Sequence, residues 1–224
     1  LILKSKLDFN PGEEFQYSDL GMIMLKDIIE KVTSKNFKEL ANSWIIKPLD
    51  MNSTYFNPHD SLLYRIVPTE YDSVFRKVLI HGVVHDENAY ILNGVSGHAG
   101  LFSTAKDIGV YAQTMLNFGL FNGGRIFKNS TVGDFTEIQN IPEGSDRTLG
   151  WDTPSKNGKS SAGDFFSENT YGHLGFTGTS LWVDPDNEII VVLLTNRVHP
   201  SRKRGGIYGI RREFHSAVVS SLLD

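Results

Sequence analysis

Side chains able to move a proton or attack an acyl group gather in three stretches of the chain. The first, Asn10-Pro11-Gly12-Glu13-Glu14-Phe15-Gln16-Tyr17-Ser18-Asp19-Leu20-Gly21, offers a phenol at Tyr17 and a carboxylate at Asp19. The second, Gly97-His98-Ala99-Gly100-Leu101-Phe102-Ser103-Thr104-Ala105, offers His98 and a serine hydroxyl. The third, Gly172-His173-Leu174-Gly175-Phe176-Thr177-Gly178, sets an imidazole among glycines. A phenol titrates near pH ~10, so it is a useful base at neutral pH only where cations stabilise phenolate. An imidazole titrates near ~6.5 and serves either as a cation or as a neutral hydrogen-bonding group. Glycine lets the backbone approach a ligand closely. The chain has no cysteine, which excludes disulfides, thiolate zinc sites and a cysteine nucleophile.

Ser103-Thr104-Ala105-Lys106 is a literal S-x-x-K, and no other serine has lysine three residues on. Its place at the start of a helical pattern reads instead as helix capping. His85-Asp86-Glu87-Asn88 and His98 form a looser polar group. They line a cleft, close a loop by hydrogen bonding, or hold a metal, although the histidine spacing is not that of a zinc protease helix. His59, His81, His199 and His215 read as surface or core histidines.

These groups need elements to position them. Asn10-Pro11-Gly12 marks a turn, and Leu20, Met22, Ile23, Met24, Leu25, Ile28, Ile29 and Val32 leave a following helix so little polar face that it should be buried nearly all round. Asn36 and Glu39 make a capping-box pattern for a second helix, ended by Pro48. Residues 49–103 read as a long, irregular excursion of the functional kind. Thr104 and Asp107 cap an amphipathic helix, with Gly119 at its C′ position. Thr179 to Val183 and Glu188 to Thr195 read as strands joined across Asp184-Pro185-Asp186-Asn187. The run Ile189 to Leu194 wants burial on both faces, and two strands do not make a stable sheet, so Leu149 to Asp152 and further chain are expected to extend it. Ile210, Phe214, Ala217, Val218 and Leu222 recur at helical spacing and close the chain. Helices followed by an antiparallel hairpin and a last helix indicate an α+β domain.

Composition narrows the options. At 224 residues, 40% hydrophobic and 21% charged, the chain suits one globular domain with a sizeable core. A net charge of -4 argues against a general phosphate-binding surface and hence against nucleic acid. The cluster Arg202-Lys203-Arg204 with Arg211-Arg212 reads as a solvated loop and helix start. No apolar run approaches the ~20 residues of a transmembrane helix. The opening Leu1-Ile2-Leu3 reads as a start within a domain.

Taken in order, the three stretches resemble the penicillin-binding and class C β-lactamase superfamily, with its esterase and D-aminopeptidase relatives. The tail Leu181-Trp182-Val183-Asp184-Pro185 through Leu194-Thr195-Asn196-Arg197 is similar to the strand pair after the third motif. The resemblance spans nearly the whole chain. It implies acyl-serine chemistry on ester, amide or β-lactam-like substrates, small or peptide-like, with no metal or other cofactor. Tyr17 is implied as proton shuttle, Asp19 as a substrate contact in place of the usual asparagine, and His173 as the group replacing the lysine of K-T-G. Gly175 is implied in close backbone approach, and Phe176 through its N–H as half of an oxyanion hole. The family places S-x-x-K before the tyrosine motif, so Ser103 falls in the wrong place. Residues 1–224 are therefore expected to be one incomplete domain, inactive alone, whose nucleophile segment lies upstream and whose parent is periplasmic or secreted. A non-catalytic binding or scaffolding module on the same fold is the competing reading. A hydrolase site built on Ser103 and His98 is a third.

Overall fold

The computed structural model describes residues 2–155 and 160–223. In chain order its helices and strands are α1 (Asp19–Thr33), α2 (Phe37–Ala41), β1 (Tyr55–Phe56), β2 (Tyr71–Asp72), β3 (Val78–Leu79), α3 (Glu87–Ile91), β4 (Leu101–Phe102), α4 (Ala105–Leu116), β5 (Leu120–Phe121), β6 (Gly124–Arg125), α5 (Asn129–Thr136), β7 (Tyr171–Leu174), β8 (Ser180–Asp184), β9 (Ile189–Leu193) and α6 (Ile207–Leu223). The architecture is α+β.

The organising sheet runs β7-β8-β9, all antiparallel, with His173 opposite Leu181 and Trp182 opposite Val191. Alternation along these strands gives the sheet two apolar faces. Tyr171 and Val183 pack with Ala112 and Met115 of α4, whereas Ile189 and Val191 pack with Val219 of α6. That double covering is why Ile189 to Leu193 carries no polar residue. The stretch read as strand-like, Leu149 to Asp152, adds a single bridge: Asp152 and Gly172 exchange N–H···O bonds of 2.7 and 2.9 Å. Both hydrogen-bonding groups of Gly172 thus face Asp152, while on its other side Gly172 has Trp182 of β8 as register partner. Strand β9 is bonded on one side only, to β8, among the described residues.

The β8–β9 connection is built around Asp184, which is fully buried. Its carboxylate accepts from the Ser167 amide (3.0 Å) and hydroxyl (2.6 Å), the Asp186 and Asn187 amides (3.1 and 3.2 Å) and Asn187 Nδ2 (2.8 Å). Helix α4 is capped by Thr104, whose Oγ1 accepts from Asp107 N–H at 3.3 Å. At its other end Phe118 takes the left-handed conformation and Gly119 N–H reaches Thr114 O at 2.8 Å. Gly119 is therefore one residue beyond the expected C′ position, in a Schellman arrangement. Asn36 caps α2 through Lys38 N–H, but the Glu39 half of the expected box is replaced by Glu30, which accepts from Phe37 N–H at 2.7 Å.

Helix α1 corrects the expectation of all-round burial. None of its residues is buried, and Leu25, Ile28 and Val32 are 50, 47 and 80% exposed. The apolar pattern is there, but the described residues cover only part of it.

Replacing Asp184 by Ala is expected to lower stability at neutral pH by about 2–4 kcal/mol, since several buried donors lose their acceptor. Burial pushes the Asp184 carboxyl up, yet the Ser167 and Asn187 bonds outweigh it and hold it below the usual carboxylate range. A depressed folded-state value means that this stabilisation is present above pH ~4 and fades as pH falls further. Urea unfolding of both proteins at pH 7 and near pH ~3 should show the gap narrowing with acid; an equal gap at both contradicts the assignment.

Candidate active site

Tyr17 precedes Ser18, the N-cap of α1, whose Oγ accepts from Leu20 N–H at 3.2 Å. His173 lies near the end of β7. The fold brings these distant residues together, with ring centroids 6.1 Å apart and planes tilted by 30°. The His173 Nδ1 lies 2.9 Å from the Leu174 carbonyl, which can only accept, so Nδ1 carries a proton. A neutral His173 then presents a lone pair at Nε2, and a protonated one a second N–H.

A pair absent from the sequence reading joins them. Arg147 Nη1 bonds Asp152 Oδ1 at 2.8 Å, and its guanidinium sits 4.8 Å from the Phe15 ring centre. Since Asp152 is bridged to Gly172, Arg147 straps the tyrosine segment to the edge of β7. Burial raises the Tyr17 phenol above its ordinary value; the Asp19 and Asp152 charges add to this and Arg147 opposes it. Tyr17 therefore holds its proton at neutral pH among the described residues. Burial also raises Asp152, against the pull of Arg147 and His173.

Asp19 lies against the second stretch. A Cβ at Gly97 would stand 2.2 Å from the Met22 carbonyl, so only glycine lets this loop rest on α1. Asp19, Asp86 and His98 consequently share a cluster whose ligating atoms lie within 4.8 Å of one another. Asp86 Oδ1 already accepts from Ala89 N–H (2.7 Å) and bonds His98 Nε2 (2.8 Å), while His98 Nδ1 bonds Ser96 Oγ (2.9 Å). Of the readings open for these residues, loop closure is the one their bonds express. Ser103 is tied elsewhere: its hydroxyl meets Thr54 Oγ1 at 2.7 Å, and Thr54 bonds the buried Asp107. It is not itself the helix cap.

Beyond β7, the Gly175 position is filled on its inner side, since a Cβ there would meet Thr179 Oγ1 at 2.1 Å. Glycine is required there by the close approach of Thr179. Phe176 is exposed, stacks on His85 (5.7 Å) and lies under Arg197 (4.3 Å), whose Nε donates to the Phe176 carbonyl at 2.7 Å. His85 in turn bonds Glu70 at 2.7 Å. Arg202 reaches Glu70 through both its amide and Nε, and Glu87 through Nη2, each at 2.7 Å. Arg76 steadies this excursion, bonding Asp72 and donating to the carbonyls of Val84 and His85. The basic cluster is therefore not simply solvated: Arg202 is paired, Arg211 is buried, and Arg212 bonds Asp164. His215 is a core histidine, bonding Ser180 and the Ser161 carbonyl. A cavity of about 590 Å³ between α4, α5 and the β8 end contains none of Tyr17, Asp19, His173 or Phe176.

Comparison with known proteins follows the same lines. The Beta-lactamase family model matches residues 1–213. A Salmonella typhi protein named "Putative D-alanyl-D-alanine carboxypeptidase" is 38% identical over 216 residues, 89% of this chain and 49% of its own length. The chain thus spans about half of that curated relative. Among solved structures, a β-lactamase from Mycobacterium bovis superposes with a TM-score of 0.65 at 19% identity, over 95% of this chain and 64% of its own. A simvastatin synthase mutant from Aspergillus terreus gives 0.69 at 16% identity, over 98% and 58%. At those identities the shared property is the fold.

The Glu70 network yields a direct test of what braces the cleft wall. Glu70→Gln keeps the shape but removes the charge that Arg202 and His85 bond. Arg202 is partly exposed, so the expected loss is about 1–3 kcal/mol of stability in chemical unfolding. A change below about 0.5 kcal/mol, the size of an ordinary surface substitution, would remove the network from that role.

Proposed function

The chain belongs to the Beta-lactamase family, and from that membership we propose that it is the larger part of an acyl-serine hydrolase domain. The observation that carries the reading is the approach of the Tyr17 and His173 rings to 6.1 Å, with Arg147 and Asp152 beside them. In this reading a serine hydroxyl from an S-x-x-K segment upstream of Leu1 attacks the substrate carbonyl. Tyr17 relays the serine proton to the leaving group. The oxyanion is met by Phe176 N–H together with the serine's own N–H, and water then releases the acyl group. Because Tyr17 keeps its proton among the described residues, its turn as base rests on the cation that the incoming lysine would add to Arg147.

Two surfaces support an incomplete domain: the half-exposed apolar face of α1, and the outer edge of β9, which pairs with no strand among the described residues. An upstream segment adding strands at β9 and packing on α1 would complete the sheet and the cleft together. The substrate class is ester or peptide-like amide. His173 and Leu174 stand where a lysine and a hydroxyl residue would anchor a carboxylate, which disfavours penicillins. The name carried by the Salmonella relative supports a peptide-like substrate and a periplasmic or secreted parent.

Full-length protein should become covalently labelled by an activated ester on a serine before Leu1, whereas the 224-residue chain alone should not. Tyr17→Phe in the full-length protein should slow acyl transfer by roughly 10²–10⁴-fold. Turnover by the isolated chain that survives Ser103→Ala would overturn the upstream-nucleophile reading. A full-length protein that binds but never acylates would make it a binding module.

A further inference from the structure

The turn that follows β7 is held from behind by two guanidinium groups of different character. Arg197 is the outer one and bonds the Phe176 carbonyl at 2.7 Å. Arg211, on α6, is the inner one and is 6% exposed. Its Nη2 donates to the carbonyls of Gly175 and Thr179, each at 2.6 Å, and Gly178 N–H adds a 3.0 Å bond to the same Gly175 oxygen. Among the described residues no carboxylate pairs with Arg211, and its Nε has no partner. Burial, and then the charge of Arg197, draw its pKa below the ordinary arginine value.

A buried cation without a counter-ion is an expensive way to tie a turn, because a neutral donor would make the same bonds without desolvating a charge. Its effect is concentrated on one peptide group. The Gly175 C=O and the Phe176 N–H belong to a single planar trans unit, so they point in opposite directions. Fixing the oxygen fixes the direction of the N–H, and a cation on the oxygen makes that N–H a stronger donor. Among the described residues nothing accepts from Phe176 N–H.

We propose that Arg211 is the positioning residue of the oxyanion site: bonded to the carbonyl of the Gly175–Phe176 peptide, it aims and polarises Phe176 N–H toward the developing negative oxygen of the substrate. Arg197 holds the next peptide through the Phe176 carbonyl, and the His85 ring stacks on the Phe176 side chain. The inference rests on the acyl-serine reading above. It adds a distant helix to the machinery through a residue that touches no substrate.

The test uses full-length protein with a nitrophenyl ester as substrate and an aryl boronic acid as a tetrahedral mimic. An inactive unmodified protein would sink the acyl-serine reading, and this inference with it. With activity present, Arg211→Met should lower kcat by about tenfold or more with KM changed less than about twofold, somewhat below the loss of a whole oxyanion donor. Boronate affinity should fall in step with kcat. Arg211→Lys, which keeps the charge but not the fork, should fall between the two, and it decides alone on the same readouts if the methionine variant does not fold. A lowered melting temperature with kcat and boronate affinity unchanged would make Arg211 only a strut and overturn the proposal.

Discussion

Strand β7 is the reference from which every candidate group is placed, and it is fixed because Gly172 has a neighbouring segment on both sides. On one side it pairs with Trp182 in β8; on the other it exchanges two bonds with Asp152. The inner pairing sets His173 opposite Leu181. The outer one brings Arg147, through Asp152, to the aromatic segment that carries Tyr17. One residue further along the chain than β7, Gly175 begins the turn on which Phe176 sits. A slip of one residue in this register would turn His173 to the other face of the sheet and uncouple it from Tyr17.

How much of this was legible in the sequence varies with the range of the interaction. The hairpin around Asp184 and the helix capped by Thr104 were readable because turn chemistry and capping act over a few residues. The sheet's two apolar faces followed from the unbroken apolar run Ile189 to Leu194. The Arg147–Asp152 pair was not readable, since nothing local distinguishes that arginine, and its role arises only once the strand edge and residues 15–17 meet. Arg211 and Arg202 were hidden for a related reason. Among several basic residues, sequence does not say which guanidinium is buried against carbonyls and which faces water. The misreading of α1 has the opposite origin: its composition is that of a covered helix, but the described residues leave its apolar side chains largely half-exposed.

Strand β7 carries an imidazole, His173, and no lysine or arginine. Positive charge is found around it instead, at Arg147 beside the tyrosine and at Arg197, Arg202 and Arg211 around the Phe176 turn. Each of these is bonded to backbone carbonyls or acidic side chains. They shape the local field while each is already engaged by groups of the protein itself.

The bonds between Glu70 and Arg202 join residues 132 positions apart, and that separation has a consequence in time. A growing chain carries Glu70 and His85 well before Arg202 has been made, 132 and 117 positions later. Strand pairing and the local helices can form in that interval, because their contacts are near in sequence. The charged bracing cannot. Glu70 thus lacks its guanidinium partner in the nascent chain until Arg202 follows it.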